Sequence, residues 1–264
     1  MRTIIENLSK IKFILIFAFL GASFGVFGQS KKVKHDSQIW LQYFLISRLT
    51  EKWSVNFDAG YRRTDQFINK PLQWLVRGGV SYHLNKDISI SGGYAYFSIH
   101  TITSKSEMNR SEHRPWLRYS LTQKYKKWQI QNRYRLELRN IQNNDAYGLL
   151  DSYNSYVRSA CQLSLQYVFK GEKIAKGVPF LQAYNEVFVN FGSKISSNFD
   201  QNRVYIGAGY GLSDQLSVSL GYQYIYSQQN TIAFSELNTI RFNIIQNLDF
   251  QKPKTESDEN KKTN

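Results

Sequence analysis

The chain has 264 residues, with 34 Lys and Arg against 20 Asp and Glu, a formal net charge of +14. Its single cysteine, Cys161, excludes an internal disulfide. No apolar run of about 18 residues follows the first thirty, which excludes a helical membrane protein. The 15% aromatic content comes mostly from Tyr and Phe, residues that membrane barrels place in girdles at the two interfaces.

The N-terminus reads as an address. Arg2, Lys10 and Lys12 are basic, Phe13 to Phe27 is almost wholly apolar, and Val26 and Gly28 are small. This is a secretory signal peptide over residues 1–28, with cleavage before Gln29. The apolar run is too short for a comfortable membrane helix, which needs about 20 residues. Removal takes three basic residues and Glu6, leaving 31 Lys and Arg against 19 Asp and Glu, a formal +12.

A basic segment with Lys31, Lys32 and Lys34 carries no pattern. Alternation of apolar and polar residues then begins, with the period of two that sends successive strand side chains to opposite faces. Eleven such runs follow: 38–49, 53–64, 72–84, 88–98, 112–124, 128–139, 153–169, 178–191, 201–212, 216–227 and 237–250. The sixth is the cleanest. Arg133, Arg135, Glu137 and Arg139 share one parity, and Trp128, Ile130, Tyr134, Leu136 and Leu138 share the other. The first is the least clean, because Trp40, Phe44 and Ile46 fall on its polar parity. Most runs exceed the soluble-strand average of about 5–6 residues and suit a tilted membrane strand of about 9–11.

Short polar turns follow the odd runs at 50–52, 85–87, 125–127 and 213–215, and a longer one spans 170–177. Longer polar loops follow the even runs at 65–71, 99–111, 140–152, 192–200 and 228–236. Short periplasmic turns and longer outer loops are the pattern of an outer-membrane barrel. The expected fold is therefore all-β, an antiparallel transmembrane β-barrel over residues 29–250. Eleven strands are read, but bacterial single-chain barrels have an even number. A twelfth strand is accordingly favoured, within residues 29–37, with a parallel closure of eleven as the alternative. Residues 251–264 are almost entirely polar and read as a disordered tail.

Lysines occupy the signal, turns, loops and tails, with Lys124 at a strand end. Arg48, Arg62, Arg77, Arg114, Arg118, Arg133, Arg135, Arg139, Arg158, Arg203 and Arg241 all share the polar parity of strand bodies, and Arg63 is the exception. An Arg facing lipid at mid-depth costs about 2–4 kcal/mol, so this parity must face inward if the barrel spans a membrane. A soluble barrel with the apolar face inward is the competing sidedness. Within a narrow lumen the five-donor guanidinium fork satisfies several acceptors at once. Asp58, Glu112, Glu137 and Glu186 are its expected partners. The candidate site is a lumen charge network of Glu112, Arg114, Arg118, Arg133, Arg135, Glu137, Arg139, Glu186 and Arg203. It serves either as structural filling or, through its excess of Arg, as a path for small anions.

No catalytic, cofactor or metal site is read. His113 and Ser111 share a parity near an outer strand end, the basis of an alternative reading as an outer-membrane lipid- or lipopolysaccharide-modifying enzyme, but no third group supports them. His83 sits near a turn, and His35 and His100 fall outside the runs. No His, Cys and carboxylate residues have metal-ligand spacing, and there is no phosphate-cradling Gly loop. The positive charge does not imply nucleic acid, because its Arg half points into the barrel. Arg63, Lys70, Lys105 and Arg110 at the outer end could meet lipopolysaccharide phosphates.

At Glu112-His113-Arg114-Pro115-Trp116, Arg133-Tyr134-Arg135-Leu136-Glu137-Leu138-Arg139, Asn185-Glu186-Val187-Phe188 and Gln201-Asn202-Arg203, the chain resembles the exported family catalogued as domain of unknown function 2490. The similarity runs from about Trp40 to Phe250. It implies an outer-membrane barrel, and no activity or catalytic residue. The terminal Leu248-Asp249-Phe250 resembles the C-terminal signal read by the barrel assembly machinery. The expectation is a monomer in contact with outer-membrane lipid and lipopolysaccharide.

Overall fold

The computed structural model describes residues 32–193 and 195–251. The expected signal peptide, and the expected tail apart from Gln251, lie outside the described residues. Eleven strands follow in chain order: β1 (Lys32–Arg48), β2 (Trp53–Thr64), β3 (Lys70–His83), β4 (Ile88–Ile102), β5 (Glu107–Tyr125), β6 (Trp128–Asn144), β7 (Leu149–Val168), β8 (Pro179–Phe191), β9 (Phe199–Gly211), β10 (Leu216–Gln228) and β11 (Ala233–Asp249). They form one closed barrel in which each strand pairs with its sequence neighbours.

The expected twelfth strand is corrected. Residues 32–37 do not form a strand of their own but lengthen β1 upstream of the patterned run. Eleven strands linked by hairpins leave the first and last pointing the same way, so the ring closes only through a parallel pair. β1 and β11 make that pair from Lys32↔Ala233 to Arg48↔Asp249. All other pairings are antiparallel.

The pairing also fixes the tilt. A path along paired residues runs from Arg48 through Ser54, Ser81, Ser91, Arg118, Arg135, Ala160, Phe188, Gln201, Ser227 and Ser235, and returns to β1 at Lys34. The strand is re-entered 14 residues from its start, which for eleven strands corresponds to a tilt of about 45°.

The expected alternation of short turns and long loops is also corrected. The polar segments at 99–111 and 140–152 are mostly paired strand, down to Ile102↔Glu107 and Asn144↔Leu149. The asymmetry lies instead in strand length, with β5 and β7 reaching 19 and 20 residues. His35 and His100 are thereby in strands, beside Glu236 at 3.2 Å and Glu107 at 3.1 Å. The tips of the two tall hairpins touch. Thr103 Oγ1 donates to the carbonyl of Ala146 at 2.7 Å, and Lys105 Nζ donates to the Tyr147 hydroxyl at 2.8 Å. The end carrying these tips is called the loop rim below, and the opposite end the turn rim.

The two parities separate as the arginine distribution required. Leu117 and Ile206 are each 62% exposed, whereas Glu112 and Glu137 are each 1% exposed and Arg158 is 4% exposed. The interior holds the charges and the outer surface holds the aliphatic side chains. Aromatic contacts sit at two levels outside. Trp53–Tyr82 and Trp128–Tyr167 lie near the turn rim with ring centroids 4.8 Å apart, and Trp74–Tyr96 and Tyr96–His113 lie nearer the loop rim at 5.4 Å. Inside, Trp116 packs with Leu75, Ala95 and Phe97. It lies flat across Gly79 and Gly93, where an added Cβ would come within 2.4 Å and 2.7 Å of its ring. At the turn rim the β7–β8 connection folds back, and Ile174 and Ala175 pack on Val168, Val178 and Phe180.

Candidate functional site

All eleven arginines assigned to the inner parity line one cavity of about 1380 Å³. Its lining includes Lys86 and Asp87 at the turn rim and Ser196 and Gln228 at the loop rim. Because a strand alternates strictly, each of β5 and β6 delivers several charged side chains to this space from adjacent inward positions. Arg114 and Glu112 come from β5, and Arg133, Arg135, Glu137 and Arg139 come from β6.

The carboxylates organise the centre. Glu112 accepts from Arg114 Nη2 at 2.6 Å and from Arg139 through Nε at 2.6 Å and Nη2 at 2.9 Å. Glu137 accepts from Arg158 through Nε at 2.8 Å and Nη2 at 2.5 Å, and Arg135 Nε lies 2.9 Å from its other oxygen. Arg114 Nη1 stands 3.6 Å from Glu137 and so links the two clusters. Glu186 accepts from Arg133 at 3.2 Å and Arg135 at 3.3 Å, with Arg203 at 3.9 Å. Asp58 holds Arg77 in a two-pronged pair at 2.7 and 2.8 Å. Such forked pairs fix geometry as well as charge. The expected network residues are thus brought together, except Arg118. That residue stands apart, and its Nη2 reaches only Ser91 Oγ at 3.3 Å.

One acidic partner is not legible from alternation. Asp200 accepts from Arg158 Nη1 at 3.0 Å. Its parity would send it outward, but the β8–β9 register shifts between Phe188 and Val189, whose partners are Gln201 and Phe199. Asp200 is the extra residue of that bulge, and a bulge re-aims a side chain.

Carboxylates are too few for the arginines, and inward aromatic rings also hold guanidinium groups, some paired with a carboxylate and some not. Arg62 lies 3.6 Å over the Trp40 ring, Arg114 3.9 Å over Phe97, Arg203 4.5 Å from Phe188 and Arg118 5.2 Å from Trp116. The aromatics that blur the alternation of β1 and β5 therefore act as cation–π platforms.

The half of the cavity nearer the turn rim has another chemistry. Its wall carries Asn56, Ser81, Ser120, Thr122, Gln131 and Ser217, with lateral bonds from Asn56 to Ser81 at 2.5 Å, between Ser81 and the buried Ser91 at 2.7 Å and from Gln131 to Thr122 at 2.9 Å. Charge returns at the rim itself, where Arg48 and Ser54 meet His83 Nε2 at 3.3 and 2.9 Å.

Ser111 and His113 do not form a dyad. The Ser111 hydroxyl bonds Gln142 at 2.9 Å and stands 3.3 Å from the Tyr153 hydroxyl, while His113 Nδ1 bonds the Tyr94 hydroxyl. At the loop rim Arg63 donates to the carbonyls of Ile68 and Asn69, Lys70 pairs with Asp65 at 2.9 Å, and Arg110 donates to the carbonyl of Gln142. Among the described residues no three His, Cys, Asp or Glu side chains are grouped to hold a metal.

Residues 37–235 match the family described as Protein of unknown function (DUF2490), and the chain belongs to that family. No curated protein and no solved structure matches it.

Proposed function

We propose that this barrel resides in the bacterial outer membrane and provides a narrow, arginine-lined path for small anionic solutes. The observation that carries the reading is the inverted distribution of side chains. Charges are enclosed while aliphatic side chains such as Leu117, Leu136, Ile206 and Leu220 stand exposed around the outside. A monomeric soluble protein rarely exposes so large a contiguous apolar surface. A bilayer would cover it, and the two outer aromatic levels suit headgroup depth. Within the interior, guanidinium groups outnumber the carboxylates that reach them, and rings of Arg favour anions.

In this reading the protein is a monomer exported by its signal peptide and inserted by the barrel assembly machinery. Its loop rim faces outward and meets lipopolysaccharide. The apolar band lies against lipid, and the turn rim faces the periplasm. The test is conductance of the refolded protein in planar bilayers. An anion-selective current is expected, and absence of current or a cation preference would remove the path. Fractionation with heat-modifiable gel mobility tests the location separately, with a folded band confined to the outer-membrane fraction expected.

A further inference from the structure

One stretch of the inner wall combines positive charge with unused hydrogen-bonding capacity. Trp40 of β1 is paired directly with Arg62 of β2 on one side and with Arg241 of β11 on the other. Arg203 of β9 approaches the same indole, so the three guanidinium carbons lie 3.6, 5.3 and 5.5 Å from its ring centroid. None of the three has a carboxylate within hydrogen-bonding distance. The nearest is Glu186, 3.9 Å from Arg203 and already engaged by Arg133 and Arg135. Arg241 is held by neutral groups, Tyr184 and Gln223 on one nitrogen and Gln42 on another.

Around this row several buried polar atoms have no hydrogen-bond partner within the protein. They are Nε of Arg62, Nε of Arg241, Nε2 of Gln223 and Oγ1 of Thr239. Gln223 and Thr239 are fully buried, and all four groups can donate. Buried donors left unmade are costly, and like charges gathered in one place are costly too. For Arg62, Arg203 and Arg241, which line the cavity, one group relieves both costs, namely an oxyanion that accepts several hydrogen bonds and carries more than one negative charge. The guanidinium fork matches phosphate and carboxylate oxygens, and three forks around one point suit a tetrahedral acceptor best.

We propose that Arg62, Arg203 and Arg241, with Trp40 as their common platform, form a binding site for a phosphate group inside the barrel. The proposal rests on the anionic-solute reading and names the chemistry that the path selects. The glycines beside the row fit this. Tyr205 lies flat on Gly207 and Gly221, where an added Cβ would come within 2.2 and 2.5 Å of its hydroxyl, so the ring is kept against the wall and out of the cavity.

Calorimetric titration of inorganic phosphate and of glycerol 3-phosphate into the refolded, detergent-solubilised barrel tests the site. Single-site binding of inorganic phosphate is expected, and binding of glycerol 3-phosphate alone would assign the same site to a phosphoester source. Arg62→Gln and Arg241→Gln are each expected to weaken binding by about tenfold or more, the scale of a lost charge-assisted hydrogen bond. Arg62→Lys, which keeps the charge and loses the fork, is expected to fall between Arg62→Gln and the native chain. Lys52→Gln, in the β1–β2 turn, removes one charge outside the cavity and is expected to leave binding unchanged. Gel mobility selects folded variants. Absence of binding by both ligands, or binding by folded Arg62→Gln and Arg241→Gln equal to that of the native chain, overturns the site. An anion-selective current without phosphate binding overturns the site and leaves the path. Phosphate binding in a barrel without current leaves the site and overturns the path.

Discussion

The interior of this barrel has two halves built on different principles, although one inward parity supplies both. Toward the loop rim the space is filled by guanidinium groups, carboxylates and aromatic faces, each side chain gripping two or three others. Toward the turn rim the wall is Ser, Thr, Asn and Gln, short side chains with mostly pairwise hydrogen bonds. The difference teaches that inward polarity alone does not set the character of a barrel interior. Side-chain reach does. Arg and Glu reach one another over adjacent and next-but-one strands and brace that part of the wall, whereas serines bond only to their near neighbours. The charged half fixes shape at the cost of buried charge, and the neutral half keeps volume.

The sharpest way to break this contrast is Glu137→Ala. It removes the acceptor of Arg158 and the ion-pair partner of Arg135 and strands buried positive charge, so a destabilisation of about 3–5 kcal/mol is expected, read as a lowered urea midpoint of the folded band. Gly93→Val comes next. Its Cβ would fall 2.1 Å from the carbonyl of Gly78 and 2.7 Å from the Trp116 ring, and overpacking of this kind costs about 1–3 kcal/mol. Here the same urea series should show a smaller shift than for Glu137→Ala, and an equal shift would erase the distinction between bracing and packing. Ser91→Ala, in the neutral half, loses hydrogen bonds to Ser81, which keeps Asn56, and to Arg118, which keeps the face of Trp116. Less than about 1 kcal/mol is expected, and a loss as large as that of Glu137→Ala would show that the serine wall is also a brace.

The smallest effect lies outside both halves, at the β6–β7 tip. The amides of Tyr147 and Gly148 donate to Asp145 and hold its carboxyl below the usual carboxylate range. A depressed folded value means the contribution is present above the unfolded pKa and is lost as pH falls through the folded one. Amide exchange at Gly148, corrected for its intrinsic pH dependence, should therefore lose protection only in acid, with the rest of the barrel unaffected.

Much of this was legible because charge and strand parity are local properties. The shared parity of Arg133, Arg135, Glu137 and Arg139 marks the network in the sequence itself, and the sidedness of Leu117 and Ile206 follows from the same alternation. What escaped the sequence was non-local or irregular. Asp200 was hidden by a bulge that reverses its parity. Trp40 looked like noise in β1 until Arg62 and Arg241 were seen beside it, because its partners come from strands far along the chain. The tall hairpins resemble loops in sequence because both of their parities are largely polar near the tips. All eleven strands are legible in the alternation; the twelfth that parity favours is absent among the described residues, because strand direction is local while the partner of the first strand is decided by the last.

That parallel seam has a topographic consequence. Lys32 enters beside Ala233 at one mouth of the barrel, and Asp249 leaves beside Arg48 at the other. In a cylinder with an even number of staves joined by hairpins, both ends emerge on one side. Here the first and last strands run the same way, so the described segment enters the wall at the loop rim and leaves it at the turn rim.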